Sequence, residues 1–308
     1  ALKILRIATE HTENVLSKEE DNLKDLTLKE LRSQETDFLL VNEQIKAWEK
    51  VILHQKDSKD KGQSFLFSVM IELVKQFGTD NPEWNCAAEQ YINSLFAVKH
   101  LKAYKTSELF LHSLIKKLHS DIEPIIERIE AEMQGREDID IDETLFDGDL
   151  KYNESMLAQL IFVAGHLGIK MVVFIENVEK LLEKRYEKKK QKKKESKRQG
   201  DGEEDAEEEL DLIAGGGDAD LDADKTFLNN VMEKTFLQKN LLSKFVPVID
   251  KIIGNIFEKY KKLDNEQSAT FLERVTVLSL CKCMLVSQEY CSSRIESLFS
   301  LLSLKSFD

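Results

Sequence analysis

Lys170–Val178, "KMVVFIENV", is the stretch on which the fold class turns, because it is where a strand competes best with a helix. β-branched and aromatic residues crowd it, as they do in a buried strand. Turn residues are missing on its C-terminal side, however, and the apolar spacing runs on through Val178, Leu181 and Leu182. A spacing of three and four is helical, whereas a strand alternates. We therefore read a helix that extends into the lysine run behind it, and with that reading no strand remains.

Upstream, the same periodicity recurs. Phe38, Val41, Ile45, Trp48 and Ile52 form one stripe; Phe65, Val69, Leu73 and Phe77 form another, widened by Leu66, Met70 and Val74. Tyr91, Leu95, Val98 and Leu101 follow, then a longer series from Leu111 through Ile115, Leu118, Ile122, Ile126 and Ile129 to Met133. Pro124 divides or kinks that series, since proline lacks the amide hydrogen of the helix ladder. Ser120–Glu123 fits a capping box that would start a new helix there. An acidic, glycine-containing loop is expected at 135–149, and a helix carrying Leu157, Leu160, Ile161, Ala164 and Leu167 after it. Further helices are expected around 225–239, 241–261, 266–286 and 287–304.

The totals agree. Twelve glycines and three prolines in 308 residues fall far below the roughly 12% of average usage, too few for the frequent turns of a sheet protein. Consecutive helices with short breaks predict an all-α fold, a HEAT/armadillo-like α-solenoid of stacked helical hairpins. A plain helical bundle is the alternative. The first ten residues are too short and polar for a signal peptide, and four cysteines without one point to free thiols in a reducing compartment. An unbroken run of about 18 apolar residues is absent, which predicts no membrane-spanning helix. A start without methionine and an end straight after an apolar helix lead us to expect a piece of a longer chain.

Residues 184–224 interrupt the pattern. "KRYEKKKQKKKESKR" (184–198) holds ten basic and two acidic residues; 201–224 holds twelve acidic and no basic ones. Such blocks bury too little apolar surface to offset chain entropy, so a disordered charged insertion with helical ends is expected. This divides the chain into a helical-repeat segment at 1–183, the insertion at 184–224, and a segment at 225–308 that continues the solenoid. Three readings of Lys188, Lys189, Lys190, Lys192, Lys193, Lys194, Lys197 and Arg198 stay open: a nuclear localisation signal, a tract lying along nucleic-acid phosphates, or a solvated linker neutralised by the acid behind it.

No catalytic constellation is present. Phosphate loop, dinucleotide fingerprint and nucleophile elbow are all missing, and the six histidines are scattered and read as surface or half-buried residues. No catalytic residue, cofactor, small-molecule substrate or membrane contact is expected. Asp218, Asp220 and Asp222 open like a calcium loop, but Ala223 and Asn229 stand where that loop needs glycine and glutamate. "CKCMLVSQEYC" (281–291) gathers three of the four cysteines. A zinc site wants four convergent ligands, whereas Cys281 and Cys283 diverge by about 200° on a helix. No metal is expected; the thiols read as small core residues at a helix junction, with Ser287 capping the second helix.

Leu280–Met284, Val286–Ser287, Tyr290–Cys291 and Leu298–Phe299 closely resemble a helical hairpin of the condensin subunit 1 family, the HEAT-repeat, non-SMC subunits of condensin. "NLLSKFVPVI" (240–249) is similar to that family's preceding helix. "LIFVAGHLGIKMVVFIENVEKLLEKR" (160–185) is similar to its glycine-containing helix pair before a charged insertion, and "EEELDLIAGGG" to its short element after it. Gly168 stands where alanine is expected. The resemblance covers about 150–304. It implies a non-catalytic scaffold that binds kleisin and SMC ATPase-head subunits and contacts DNA or chromatin in mitotic chromosome condensation, in the nucleus and on chromosomes, with a cytoplasmic pool. It places no partner contact on particular residues. A karyopherin-like transport adaptor, suited by the acidic helical body, is the alternative.

Overall fold

The computed structural model describes residues 20–54, 59–97, 106–120, 143–198, 222–228, 230, 241–262 and 268–303. Among these no strand occurs. The elements are α1 (Glu20–Leu31), α2 (Phe38–His54), α3 (Lys59–Lys75), α4 (Trp84–Ala97), α5 (106–120), α6 (Glu143–Arg198), a 3₁₀ turn at Leu241–Lys244, α7 (Phe245–Lys262), α8 (Phe271–Val286) and α9 (Gln288–Leu302). A short helical run, 222–228, lies between α6 and the 3₁₀ turn.

The helices pack on elements one or two places along the chain. α1 packs on α2 and α3, α2 and α3 on α4, α4 on α6, α6 on α8, and α8 on α7 and α9. This is the all-α helical-repeat arrangement that the rhythm of apolar stripes predicted. The α2 stripe is buried from Phe38 to Ile52, and so are Phe65, Leu66, Val69, Met70, Leu73 and Phe77. Tyr91, Leu95 and Leu111 are buried too, joined by Phe110 and Leu114. Tyr91 meets Phe110 edge-on, ring centroids 5.0 Å apart, an arrangement that suits the ring quadrupoles. Val98, Leu101, the series beyond Ser120, Pro124 and residues 121–123 of the proposed capping box lie outside the described residues; Ser120 itself ends α5, its Oγ donating to the Lys117 carbonyl at 2.9 Å.

α6 is the organising element. Its 56 residues span about 84 Å at roughly 1.5 Å per residue. Met156, Leu160, Val163, Ala164 and Leu167 belong to one hydrophobic cluster, shared with α1–α5. Ala158, Ile161 and Phe162, on another side of the same turns, belong to a second cluster with α7–α9. One helix thus supplies both cores. Gln159 fastens it to the α3–α4 turn: its Oε1 accepts the Gly78 N–H and its Nε2 donates to the Thr79 carbonyl, both at 2.8 Å. Gly78 has a φ of 95°, a left-handed conformation that glycine adopts without a Cβ penalty.

Three expectations need correction. α6 begins at Glu143, inside the stretch 135–149 expected to be a loop. Residues 160–185 form part of one continuous helix, not a pair; Gly165 serves a helix crossing and not a turn. The third concerns membranes. Glu154–Lys188 is long and apolar enough, by length and composition, to cross one, although it holds no unbroken apolar run of the expected kind. Buried surface explains that hydropathy: 72% of its apolar window is covered by the other helices, as in the core helix of a helical-repeat stack.

The second cluster is closed by polar clasps. Thr270 and Glu273 form a capping box at the start of α8, which satisfies two otherwise orphaned amides. Glu273 also accepts from Lys259 (2.8 Å) and Tyr260 (2.9 Å) on α7. Burial opposes its ionisation, but these donors outweigh it and hold the carboxyl below its usual range. Asp250 of α7 takes Arg294 in a two-pronged ion pair at 3.0 and 2.7 Å and accepts the Tyr290 hydroxyl at 2.8 Å, which ties α7 to α9.

Candidate interaction site

The α6–α8 crossing contains the cysteine-rich stretch. Helical spacing puts Ser279, Lys282 and Val286 on one face of α8, and that face meets α6. Ser279 Oγ donates to the Ile161 carbonyl at 3.1 Å. A Cβ added at Gly165 would stand 2.9 Å from Ser279 Oγ and 3.3 Å from its Cα, so a side chain at 165 would push Ser279 or the helix it stands on aside. A Cβ at Gly168 would meet only Val286 Cγ2, at 3.4 Å, which is ordinary contact. Lys282 Nζ lies 4.2 Å above the Phe162 ring. Residues before and between the cysteines, Ser279, Lys282 and Val286, therefore make the contact with α6. The three thiols are half-buried, and Cys283 and Cys291 pack against the edge of the second core cluster, in keeping with their reading as small residues at a helix junction. Burial, reinforced by Asp250, pushes the Cys283 thiol up to about 11. Ser287 caps α9 as its sequence position predicted, accepting the Tyr290 N–H at 3.2 Å.

His166 departs from the expected surface or half-buried setting, which His112 and His119 do occupy at exposed positions. It is buried on α6, stacked on Phe162 at 5° between ring planes, with Nε2 2.9 Å from Asn93 Oδ1 of α4. Burial first, then Lys282 and Lys170, pushes its pKa down to about 3. The ring is neutral, and because Asn93 Oδ1 is an acceptor, Nε2 carries the proton.

Beside this crossing α2, α4 and α6 line a groove of about 460 Å³. Half-buried Lys46, Lys50 and Lys170 stand in its walls, and Phe96 and Phe174, centroids 6.1 Å apart, pack together along it. Glu49 is held in place by Gln90 Nε2 at 2.9 Å and Ser94 Oγ at 2.6 Å. Sequence reasoning missed this groove. Its lysines come from helices more than a hundred residues apart, and nothing in the chain marks them as a set.

The lysine tract lies on the far end of α6. The helix continues through Lys188, Lys189, Lys190, Lys192, Lys193, Lys194, Lys197 and Arg198, and Lys188 and Lys190 are exposed. At 100° per residue these eight positions are distributed around the whole helix circumference. The base of this arm is braced by the returning chain: Tyr186 donates to Asp224 at 3.1 Å, and Lys225 pairs with Glu183 at 2.6 Å and Glu179 at 3.8 Å. The acidic stretch 199–221 and the aspartates at 218 and 220 lie outside the described residues. Among the described residues no group of three or more His, Cys, Asp or Glu could hold a metal ion.

Condensin complex subunit 1 of Schizosaccharomyces pombe is 29% identical over 224 residues, 71% of this chain. The chain is condensin subunit 1-like. Condensin complex subunit 1 of Saccharomyces cerevisiae is 28% identical over 153 residues, 47% of the chain. The matched stretches span 18% and 12% of these relatives. No protein-family model matches the chain. The likeness to condensin subunit 1 reaches beyond the 150–304 region on which the sequence resemblance rested, since no 224-residue match fits inside it.

Proposed function

We propose that this chain is part of a non-catalytic helical scaffold of a condensin complex, acting in chromosome condensation in the nucleus and on chromosomes, with a cytoplasmic pool. The observation that carries the reading is the 71% coverage by condensin complex subunit 1, on a stack of helical pairs with long, continuous side-chain surfaces. Such surfaces suit elongated partners. Its partners in this reading are a kleisin and SMC subunits, and ATP turnover belongs to the SMC subunits. Affinity purification of the tagged full-length protein tests this: kleisin and SMC subunits are the expected co-purifying chains. Recovery of importin-type cargo or a small GTPase in their place would favour the transport-adaptor alternative and sink the condensin reading.

Within that scaffold the lysine arm contacts DNA phosphates. A helix with basic positions all round suits a sequence-independent polyanion contact better than an extended localisation peptide, and displaced counterions drive such binding. Salt-titrated duplex binding is the measurement. Glutamine at Lys188, Lys190, Lys192 and Lys193 should lower the salt slope by about 0.9 for each phosphate that is no longer neutralised. An unchanged slope returns the tract to a solvated linker or a localisation signal.

A further inference from the structure

We infer that Ser33, in the exposed turn between α1 and α2, is a phosphorylation site for a glutamine-directed protein kinase, and that the phosphate loosens α1 from the helices behind it. The chemistry is independent of the condensin reading. The tripeptide Ser-Gln-Glu occurs twice in the chain, at 33–35 and at 287–289. A glutamine-directed kinase requires glutamine directly after the hydroxyl it modifies, in accessible backbone that can extend. Structure separates the two copies. Ser287 is buried, and its Oγ caps α9 by accepting the Tyr290 N–H at 3.2 Å. Residues 32–35 are all exposed and lie between the end of α1 at Leu31 and the start of α2 at Phe38. The Ser33 hydroxyl is also unspent as a donor: it accepts the Glu35 N–H at 3.4 Å, and among the described residues it donates to nothing. The exposed Ser292 and Ser300 instead donate to carbonyls one turn back at 2.9 Å, inside regular helix.

The reaction is a phosphoryl transfer from ATP. Ser33 Oγ bonds to the γ-phosphorus, the bond from that phosphorus to the ADP oxygen breaks, the hydroxyl proton passes to a base of the kinase, and ADP leaves. The product carries about −1.5 to −2 charges and three strong acceptor oxygens. It stands just past the C-terminus of α1, the negative end of that helix, in a turn that already holds Glu30, Glu35 and Asp37. Like charge works against the clasp there, in which Glu30 Oε1 accepts the Asp37 N–H at 3.0 Å and the Thr36 hydroxyl donates to the Glu30 carbonyl at 3.2 Å. Arg32 adds a second effect. Its Nε holds Glu72 of α3 at 3.0 Å, although its side chain is 60% exposed. A phosphate on the adjoining residue competes for that guanidinium as a two-pronged partner. Glu72 keeps Lys75 at 3.1 Å when Arg32 leaves, so the exchange strands no buried charge. A tie between α1 and α3 is thereby replaced by a pair within the turn.

Phosphorylation of the full, folded chain tests the inference. The chain is incubated with ATP and a purified glutamine-directed kinase, and mass spectrometry locates the phosphate. Ser33 should be modified and Ser287 should not. Gln34→Leu, a change at an exposed position, should cut modification of Ser33 by about tenfold or more, because the kinase loses the side-chain amide it reads, with the helical circular-dichroism signal retained. Hydrogen exchange on the modified chain then reads the consequence. Amides of α1 should exchange about fivefold faster than in the unmodified chain, and those of α4 at the same rate. A Ser33 left bare in the folded chain, or modification that survives Gln34→Leu, would overturn the site. Exchange in α1 unaltered by the phosphate would overturn its loosening effect.

Discussion

Two halves of α6 obey different physics. From Met156 to Leu167 nearly every side chain is buried between two clusters, and helix identity there is enforced by packing on both sides. From Glu176 to Gln191 most of the described side chains are exposed, with Leu181 at 62%. There it persists because lysine, glutamate and glutamine are good helix formers, and because a helix already nucleated extends at low cost. The contrast teaches that one continuous helix can be a core element at one end and a charged arm at the other. Breaking it should therefore have unlike consequences in the two halves.

The largest effect belongs to the buried half. Ile161→Ala empties a fully buried site and should cost about 2–5 kcal/mol in denaturant unfolding, whereas Leu181→Ala in the exposed half should stay within about 0.5 kcal/mol. Equal costs would erase the distinction between the halves.

The helix crossing comes next. Gly165→Ala drives a methyl into Ser279 and should destabilise by about 1–3 kcal/mol, with Ser279→Gly in the same chain recovering most of it. Gly168→Ala, three residues on, should be neutral or stabilise by roughly 0.5–1 kcal/mol, because alanine is the better helix former. A matching loss at both glycines would mean that the close approach is not local to 165.

His166 sharpens the comparison through pH. Its pKa is about 3 in the fold and near 6.5 in the unfolded chain. Between these values the unfolded state binds the extra proton, so stability is full above about 6.5 and falls as pH drops toward 3. His166→Gln should remove up to about 2 kcal/mol of the stability difference between pH 7 and pH 5. An identical pH profile in the variant would show that the ring titrates alike in both states.

The smallest effect on stability is reserved for the arm. Lys190→Pro should lower the helical circular-dichroism signal by ending α6 near that point, yet leave the main melting transition in place. A large fall in melting temperature would mean that the arm belongs to the core.

Most of the helices were legible because their apolar stripes face one core: Phe38–Ile52 and Phe65–Phe77 are buried as their spacing demanded. The continuity of α6 was harder to see. Glycine at 165 and 168 suggests a break when read locally, and only the partner helix, at Ser279 on α8, shows that the missing side chain at 165 makes room. The cysteines were read as packing residues, and Cys283 and Cys291 do pack against the second cluster. They stand out by rarity, while α6 is met by Ser279, Lys282 and Val286 between and around them. The groove was not legible at all, since local sequence carries no record of which lysines converge from separate helices.

The shared helix has a further consequence for chain connectivity. Residues 154–167 of α6 lie on one side of the charged insertion and their closest partner, α8, on the other, so burial rather than the intervening peptide links holds the two together. The protein has the makings of a split pair. Pieces ending after Arg198 and beginning at Asp222, made as separate polypeptides, carry complementary halves of one core and should find each other in solution.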